Sequence, residues 1–517
     1  VLLERQFLAE DADGRLAFSH DLVRSIVAAS LTSPRRRGLH RDAAAAIATL
    51  HGHEPERAAE LAFHFEQAGY GAEAEMLRYA TLAGDHARRS YGYRVALDYY
   101  KLGLRAVDRM GGRAPIAEAR RAFVGSLLMH EELLDWDGIM DTAARHDRWA
   151  AHWPDMPPLV NPRRLVLLRA LMGDLAGAAA LSVEQARRQP ELTLALEDML
   201  WRTAIVLQPI EPEPNDEWRA RGGESFDTRH VALDTRHLIG FIPAHPLPGA
   251  PSVDLPAVLG ADEAALALFQ VGWAALMQGL LDDAEPCLRR AYELALETGQ
   301  ASVAVVSALQ LAHLNALRGG QRATESWMTT SLESAQRAPE AAWASIWPQI
   351  HQAYLLLIDD QHAAAREGFE RMAARLRDLP AFQSHRASVE VGLGLLDLAS
   401  GQLARAAEQL EHALTSPQLL YGFVYVAAQH GLARVAALRG DLVAARAKLA
   451  HTLGYSIRRY LLPEYARTAI EIARIERDFG DPALTVPLLR QAADLAGAAG
   501  LAPLAAATGA LLRRIAG

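Results

Sequence analysis

The chain has 517 residues, 50% hydrophobic, 22% charged and only 7% aromatic, a composition that supports a packed interior and excludes wholesale disorder. Its formal net charge of -9 argues against a large phosphate-binding face, so direct nucleic-acid binding is not expected. Cys287 is the single cysteine, which removes any disulfide framework or cysteine zinc site and suits a reducing, cytoplasmic setting. Apolar runs are interrupted by Arg, Glu, Asp or His before they reach the roughly twenty residues that span a membrane, so no membrane association is expected.

The chain opens Val1-Leu2-Leu3-Glu4-Arg5, with neither a signal-peptide pattern nor an initiator methionine, and is expected to be a fragment of something longer. Gln6–Glu10 and Arg15–Ser19 flank Asp11-Ala12-Asp13-Gly14, and alternation around Asp-Gly predicts a β-hairpin. A helix is predicted from Asp21, and Arg35-Arg36-Arg37-Gly38-Leu39-His40 opens the next. Residues 41–209 read as a helical block with weak repetition. Leu61–Gly69 with Ala74 and Leu77 predict one helical hairpin, Val95–Tyr100 begin a further second helix, and Leu165–Leu171 followed by Gly173-Asp174-Leu175 and Ala178 repeat the turn signature. Residues 210–260 break the pattern with Glu211-Pro212-Glu213-Pro214, then Pro243, Pro246, Pro248, Pro251 and Pro256. Prolines this dense remove backbone donors and forbid a continuous helix, so a connector or a lid over a groove is expected.

Residues 261–517 are strongly periodic. Gly279, Gly319, Asp360, Gly401, Gly440 and Gly480 recur at steps of roughly forty residues, a solenoid period. Seven positions before each stands a small residue: Gly272, Ala312, Ala353, Gly394, Ala433 and Ala473. Five after each is small again, from Ala284 to Thr485, and nine after is large: Leu288, Met328, Phe369, Leu410, Leu449 and Leu489. Apolar residues three to four apart on both sides of each turn make the unit helix, turn, helix. The small residues let the two helices approach, and the large one is expected to plug the neighbouring unit. Leu501–Ile515 reads as a terminal capping helix.

These columns resemble the tetratricopeptide repeat, with its small residue in the first helix and alanine early in the second. The fold implied is an all-α tetratricopeptide-like solenoid with a short β-hairpin at its N-terminus; other helical-hairpin solenoids of the HEAT kind are the alternative. The units exceed the family's standard of about 34 residues, and the extra length is expected in longer second helices and in connections such as Ser334–Pro339. Long units of this kind resemble those of large bacterial regulators related to the maltose-regulon activator. The stretch Phe18-Ser19-His20-Asp21-Leu22-Val23-Arg24, with Leu31, Arg35–Arg37, Leu39 and His40, resembles the end of the winged-helix domain in signal-transduction ATPases with numerous domains. Residues 1–40 would then be that domain's end. The resemblance extends to LuxR-type and antibiotic-regulator-type activators, and implies an ATPase module upstream that binds ATP or ADP. By likeness to a Met-His-Asp motif, from which Ser19 departs, His20 would face a nucleotide diphosphate and Asp21 would cap the next helix. The alternative is that His20 is a packed hairpin residue and Asp21 only a cap.

This chain itself holds no phosphate-binding loop: Lys101 and Lys448 are its only lysines, and neither follows a glycine-rich loop. No hydrolase, paired-cysteine or His-Glu-x-x-His motif is present, so no catalysis, metal or cofactor is expected of it. His51-Gly52-His53-Glu54 reads as a loop, and His130-Glu131-Glu132 with Asp135, Asp137 and Asp141 as a solvated helical face. The register just after the small first-helix residue holds Trp273, His313, Tyr354, Leu395, Arg434 and Arg474. In tetratricopeptide arrays first helices line the concave groove, so this column, extended by Asn315, Trp347 and His430, is the candidate binding wall; packing between repeats is the alternative. The function expected is a sensor arm of a bacterial signalling ATPase, binding a small inducer or a protein or peptide in the groove. An independent adaptor that assembles proteins is the second reading.

Overall fold

The computed structural model describes residues 7–10, 16–153, 156, 159, 260–377, 379, 382–415 and 422–516. They belong to two compact units divided after Leu159. The turn signature at Leu165–Ala178 and the connector up to residue 259 lie outside the described residues.

In the N-terminal unit β1 (Leu8–Glu10) and β2 (Leu16–Phe18) form the predicted antiparallel hairpin, with Leu8 opposite Phe18 and Glu10 opposite Leu16. Helices follow as α1 (Asp21–Ser30), α2 (Ser33–His51), α3 (Ala58–Ala68), α4 (Glu73–Arg89), α5 (Tyr93–Met110), α6 (Ile116–Glu132) and α7 (Trp136–Ala150). From α2 to α7 each helix packs on the next, and α4 also lies against α6. That second contact is made possible by glycine. A Cβ at Gly84 or at Gly125 would come within 2.7 or 2.4 Å of the Tyr100 ring, so the fully buried Tyr100 fills the slot between α4 and α6. Its hydroxyl donates to Asp85 Oδ1 at 2.5 Å, and Arg121 pairs with the same buried carboxylate.

The C-terminal unit is built from α8 (Ala261–Met277), α9 (Leu281–Thr298), α10 (Ala301–Arg318), α11 (Gln321–Arg337), α12 (Ile346–Ile358), α13 (His362–Leu376), α14 (Gln383–Ala399), α15 (Leu403–Ala413), α16 (Gly422–Leu438), α17 (Leu442–Arg458), α18 (Leu462–Phe479), α19 (Val486–Ala498) and α20 (Ala502–Ala516). These are helical hairpins in the predicted register, each followed by the next. The even-numbered first helices stack on one another from α8 through α20, which makes the unit a tetratricopeptide-like solenoid. Asp360 and the glycines at 279, 319, 401 and 440 take positive φ, between 58° and 84°, as a tight left-handed turn requires. Gly480 departs from them at φ -138°; there a 3-10 turn, Pro482–Thr485, opens with the Asp481 carboxylate accepting from the Ala483 amide at 3.0 Å.

Two expectations change. The extra length is shared by both helices of a unit, 17 residues in α8 and 18 in α9, and Ser334–Arg337 still belong to α11. The large residue nine after the turn serves its own hairpin as well as its neighbour. A Cβ at Gly394 would meet Leu410 at 2.8 Å within the same hairpin, and one at Gly431 of the next unit would meet Leu410 at 2.7 Å. One leucine therefore seals two interfaces, which is why no unit closes its core alone.

Successive units are also tied by buried charge. Asp397, fully buried, receives Arg366 of the preceding hairpin at 2.6 Å and Arg405 of its own at 3.4 Å. Glu476, 1% exposed, accepts both arms of Arg446 at 2.6 and 2.7 Å. Both arginines sit six residues after a turn, and both acids four before the next.

The unit winds far enough to meet itself. α20 packs against α10, and a Cβ at Gly319 would lie 3.4 Å from Pro503 Cγ. A Cβ at Gly279 would lie 3.4 Å from Leu462 and Pro463 at the start of α18. The helix expected as a simple terminal cap thus also touches the second hairpin.

Candidate functional site

The first helices carry the inner wall, and their exposed positions recur at the helical period. Five of them bring a polar and aromatic set together. α10 contributes Gln310 and His313, α12 Trp347 and His351, α14 His385, α16 Phe423 and His430, and α18 Glu464, Arg467 and Thr468. Trp347 lies 4.5 Å from His385 and 5.1 Å from His351, ring centre to ring centre. Phe423 stands 5.8 Å from His351 and 6.4 Å from both His313 and Trp347. Phe382 closes the far side on His385 at 5.1 Å.

Hydrogen bonds fix the protonation of two of these rings. The Thr468 hydroxyl donates to the Glu464 carbonyl at 2.8 Å, so at 2.9 Å from His430 Nε2 it can only accept. His430 is therefore the Nε2–H tautomer. His351 Nδ1 lies 3.2 Å from the Trp347 carbonyl, so it carries a proton and leaves Nε2 as an acceptor. Burial drives all four histidines toward neutrality: His313, His385 and His430 fall to about 3 and His351 to about 4. Positive charge adds to the effect, Arg467 acting on His313 and His430, with Arg434 and Arg474 also acting on His430. His313 Nδ1 and Gln310 Oε1 have no hydrogen-bond partner among the described residues.

The residues expected on a binding wall are only partly the set gathered here. His313, Trp347 and His430 belong to it. Arg434 and Arg474 meet instead on Glu471: Arg434 grips it through two bonds of 2.9 and 2.8 Å, and Arg474 lies 3.7 Å away. Tyr354 and Asn315 are corrections. The Tyr354 hydroxyl donates to the Ser388 carbonyl at 2.6 Å while its ring meets Phe369 edge-on at 5.0 Å, so it is packing between hairpins; burial raises its pKa. Asn315 turns its amide back onto its own helix, donating to Leu311 O at 2.7 Å. Trp273 and Leu395 pack against the apolar core. His351, His385, Phe423 and Arg467 were missed because the column six residues before each turn was extended only at Asn315, Trp347 and His430. They lie nine, sixteen, seventeen and thirteen residues before their turns, the positions one, three and two helical turns back from that column on one face.

In the N-terminal unit His20 occupies the residue before α1, exposed and without a side-chain capping bond. Asp21 is the helix's first residue rather than its cap, and its exposed carboxylate pairs with Arg24 at 3.1 Å. The His130 face is a second correction: His130 and Glu132 are buried, and His130 Nδ1 meets Asp135 Oδ2 at 2.8 Å, while Asp135 caps α7 through the Gly138 amide at 3.0 Å. His51, the last residue of α2, pairs with the partly exposed Glu54 at 2.9 Å. No group of three or more His, Cys, Asp or Glu among the described residues could hold a metal ion. Nor is any described helix long and apolar enough to cross a membrane.

No family model matches the chain, and no curated protein matches it. Among solved structures it is similar to the crystal structure of the APC/C hetero-tetramer Cut9-Hcn1 at 13% identity, covering 93% of this chain and 84% of that one with a TM-score of 0.44. It is similar to a Rap protein complexed with competence and sporulation factor at 11% identity, over 83% and 99% of the two chains, TM-score 0.40. Yeast Tom70 aligns at 10% identity over 93% and 97%, TM-score 0.28. The stacked hairpins themselves, rather than these likenesses, make the C-terminal unit a helical-repeat solenoid.

Proposed function

We propose that the chain is the recognition arm of a regulatory protein, with the inner wall of the C-terminal unit as its receptor surface. The observation that carries this reading is the convergence of Gln310, His313, Trp347, His351, Phe423, His430 and Arg467 from four first helices on one face. His313, His351, Phe423 and His430 keep part of their surface accessible although they stand deep among the helices. Aromatic and arginine side chains supply most contact energy per residue on such surfaces. A thermal-shift screen of the chain against small metabolites and partner peptides tests it; uniformly null results in both sets count against it.

The finer reading is a bacterial signalling ATPase in which this arm sets the state of an upstream nucleotide-binding module and thereby a transcriptional output. It is supported by the hairpin, Ser19-His20-Asp21 and the helical array following in that order. His20, exposed and making no capping bond, is free in geometry to donate to a phosphate oxygen of ADP or ATP held by such a module. A ligand would work by binding one of two states more tightly. The adaptor reading is favoured by a separate observation: Leu22 is 72% exposed and Ile26 60% exposed on α1, an apolar display suited to a protein partner. The coding sequence upstream of Val1 separates the two. Gly-x-x-x-x-Gly-Lys-Ser/Thr there supports the ATPase, and its absence leaves the adaptor.

A further inference from the structure

We propose that His40 and His64 form a proton-operated latch between α2 and α3, closed while the pair carries at most one positive charge and opened when both rings are protonated. The device lies in the N-terminal unit and stands apart from the recognition reading of the C-terminal one.

The geometry of the pair sets its proton count. His40 Nδ1 and His64 Nδ1 lie 2.9 Å apart, so one ring donates the hydrogen between them and the other accepts it through a bare Nδ1. One extra proton is tolerated. It enters at Nε2 of the donor ring, and the imidazolium so formed still donates to its neutral partner. The next proton has only the bare Nδ1 left to occupy. It leaves two N–H groups pointing at each other and two like charges side by side, and the contact is lost. Both rings are partly exposed, so protons reach them from solvent. The surroundings offer the second charge no relief. Burial, His64 and Arg36 one turn away on α2, in that order, hold the His40 pKa below its ordinary value. α3 brings the Phe63 ring, edge-on to His40 at 5.7 Å, and acids that are already engaged: Glu60 accepts from Arg57 at 2.8 Å and Glu66 from Arg105 at 2.8 Å.

Little else holds the first half of α2. Among the described residues of that helix Ala44 alone is buried. Arg41, exposed, donates to Tyr70 O at 2.8 Å, and Arg37 Cδ lies 3.1 Å from where a Cβ on Gly69 would stand. An exposed bond and a side-chain stem are weak ties in water. Losing the histidine contact therefore frees this half of α2, and α1, which buries no described residue, goes with it. The released state takes up protons more readily than the closed one, so the latch is shut at neutral pH and opens as pH falls below about 6.5.

The test is hydrogen–deuterium exchange on the whole chain at about pH 7.5 and about pH 5.5, corrected for the intrinsic rate at each pH, with α4 and α5 as the reference within the same unit. Amides in the first half of α2 are expected to exchange about tenfold faster or more at the lower pH, one unit of coupling being tenfold, while α4 and α5 hold still. His64→Asn, which keeps a short polar arm but cannot take a charge, is expected to remove that rise, and so is His40→Asn. In histidine-labelled protein the two ring Cε1–H signals are expected to titrate in two steps. In His64→Asn the His40 signal is expected to titrate in one step and at higher pH. Circular-dichroism melting establishes that each variant folds; if His64→Asn does not, His40→Asn carries the comparison, and if neither does, exchange and titration of the unaltered chain decide. No rise in the unaltered chain, a rise shared with α4 and α5, an equal rise in the variants, or a His40 midpoint indifferent to His64→Asn overturns the inference.

Discussion

At the scale of single residues, the unusual investment is in neutral histidine. With folded values of about 3 for His313, His385 and His430 and about 4 for His351, the unfolded chain takes up these protons first as pH falls through 6.5. Stability is therefore full at pH 7 and above and drains between about 6.5 and 3, at about 2 kcal/mol for each histidine by pH 5. Guanidinium melts at pH 7 and pH 5 measure it, and an unchanged midpoint refutes it. Glycine supplies the second case. Gly125→Val places carbon where the Tyr100 ring stands and is expected to destabilise the N-terminal unit by about 2 kcal/mol or more through overpacking. Chemical denaturation of the variant reads this, and relief by Tyr100→Ala in the same chain would trace the cost to that contact.

At the scale of elements, charge matters where it is buried between hairpins. Glu476→Gln strands the Arg446 guanidinium in a site where its partner is 1% exposed and is expected to cost about 3 kcal/mol. Glu293→Gln breaks only the pair with Arg290, both side chains about half exposed, and is expected to cost under about 0.5 kcal/mol. Comparing the two denaturation midpoints decides whether the inter-hairpin pairs specify the stack. The matched register of Arg366–Asp397 and Arg446–Glu476, six after one turn and four before the next, was present in the sequence all along. It was not legible as an interaction, because only stacking brings those two columns together.

For the whole C-terminal unit, the last helix is more than a cover. Leu511 packs with Ile470, Ala473 and Leu489, and Pro503 lies against the turn of the second hairpin. Removing residues 500–517 uncovers that cluster and opens the contact with α10. A melting temperature lower by several degrees is expected, in line with about 2–4 kcal/mol of lost apolar burial, together with weaker binding of any ligand held on the inner wall. Melting that is unchanged would show that the return contact contributes nothing.

The helical period of the chain, the spacing of its turns, the short N-terminal hairpin and the small and large columns that let hairpins stack are local properties, set by side-chain volume and backbone freedom within some forty residues of one another. They were readable from Gly279 to Gly480 with nothing else in hand. Which inward residues meet was decided by superhelical winding, a sum of small rotations per unit that no single repeat encodes. That sum carries Phe423 to His313 and Trp347, brings the Thr468 hydroxyl to His430, sends Tyr354 into a seam between hairpins, and brings α20 back to α10. The fold was written in the pattern of each unit; the inward set of residues comes together only where five units meet.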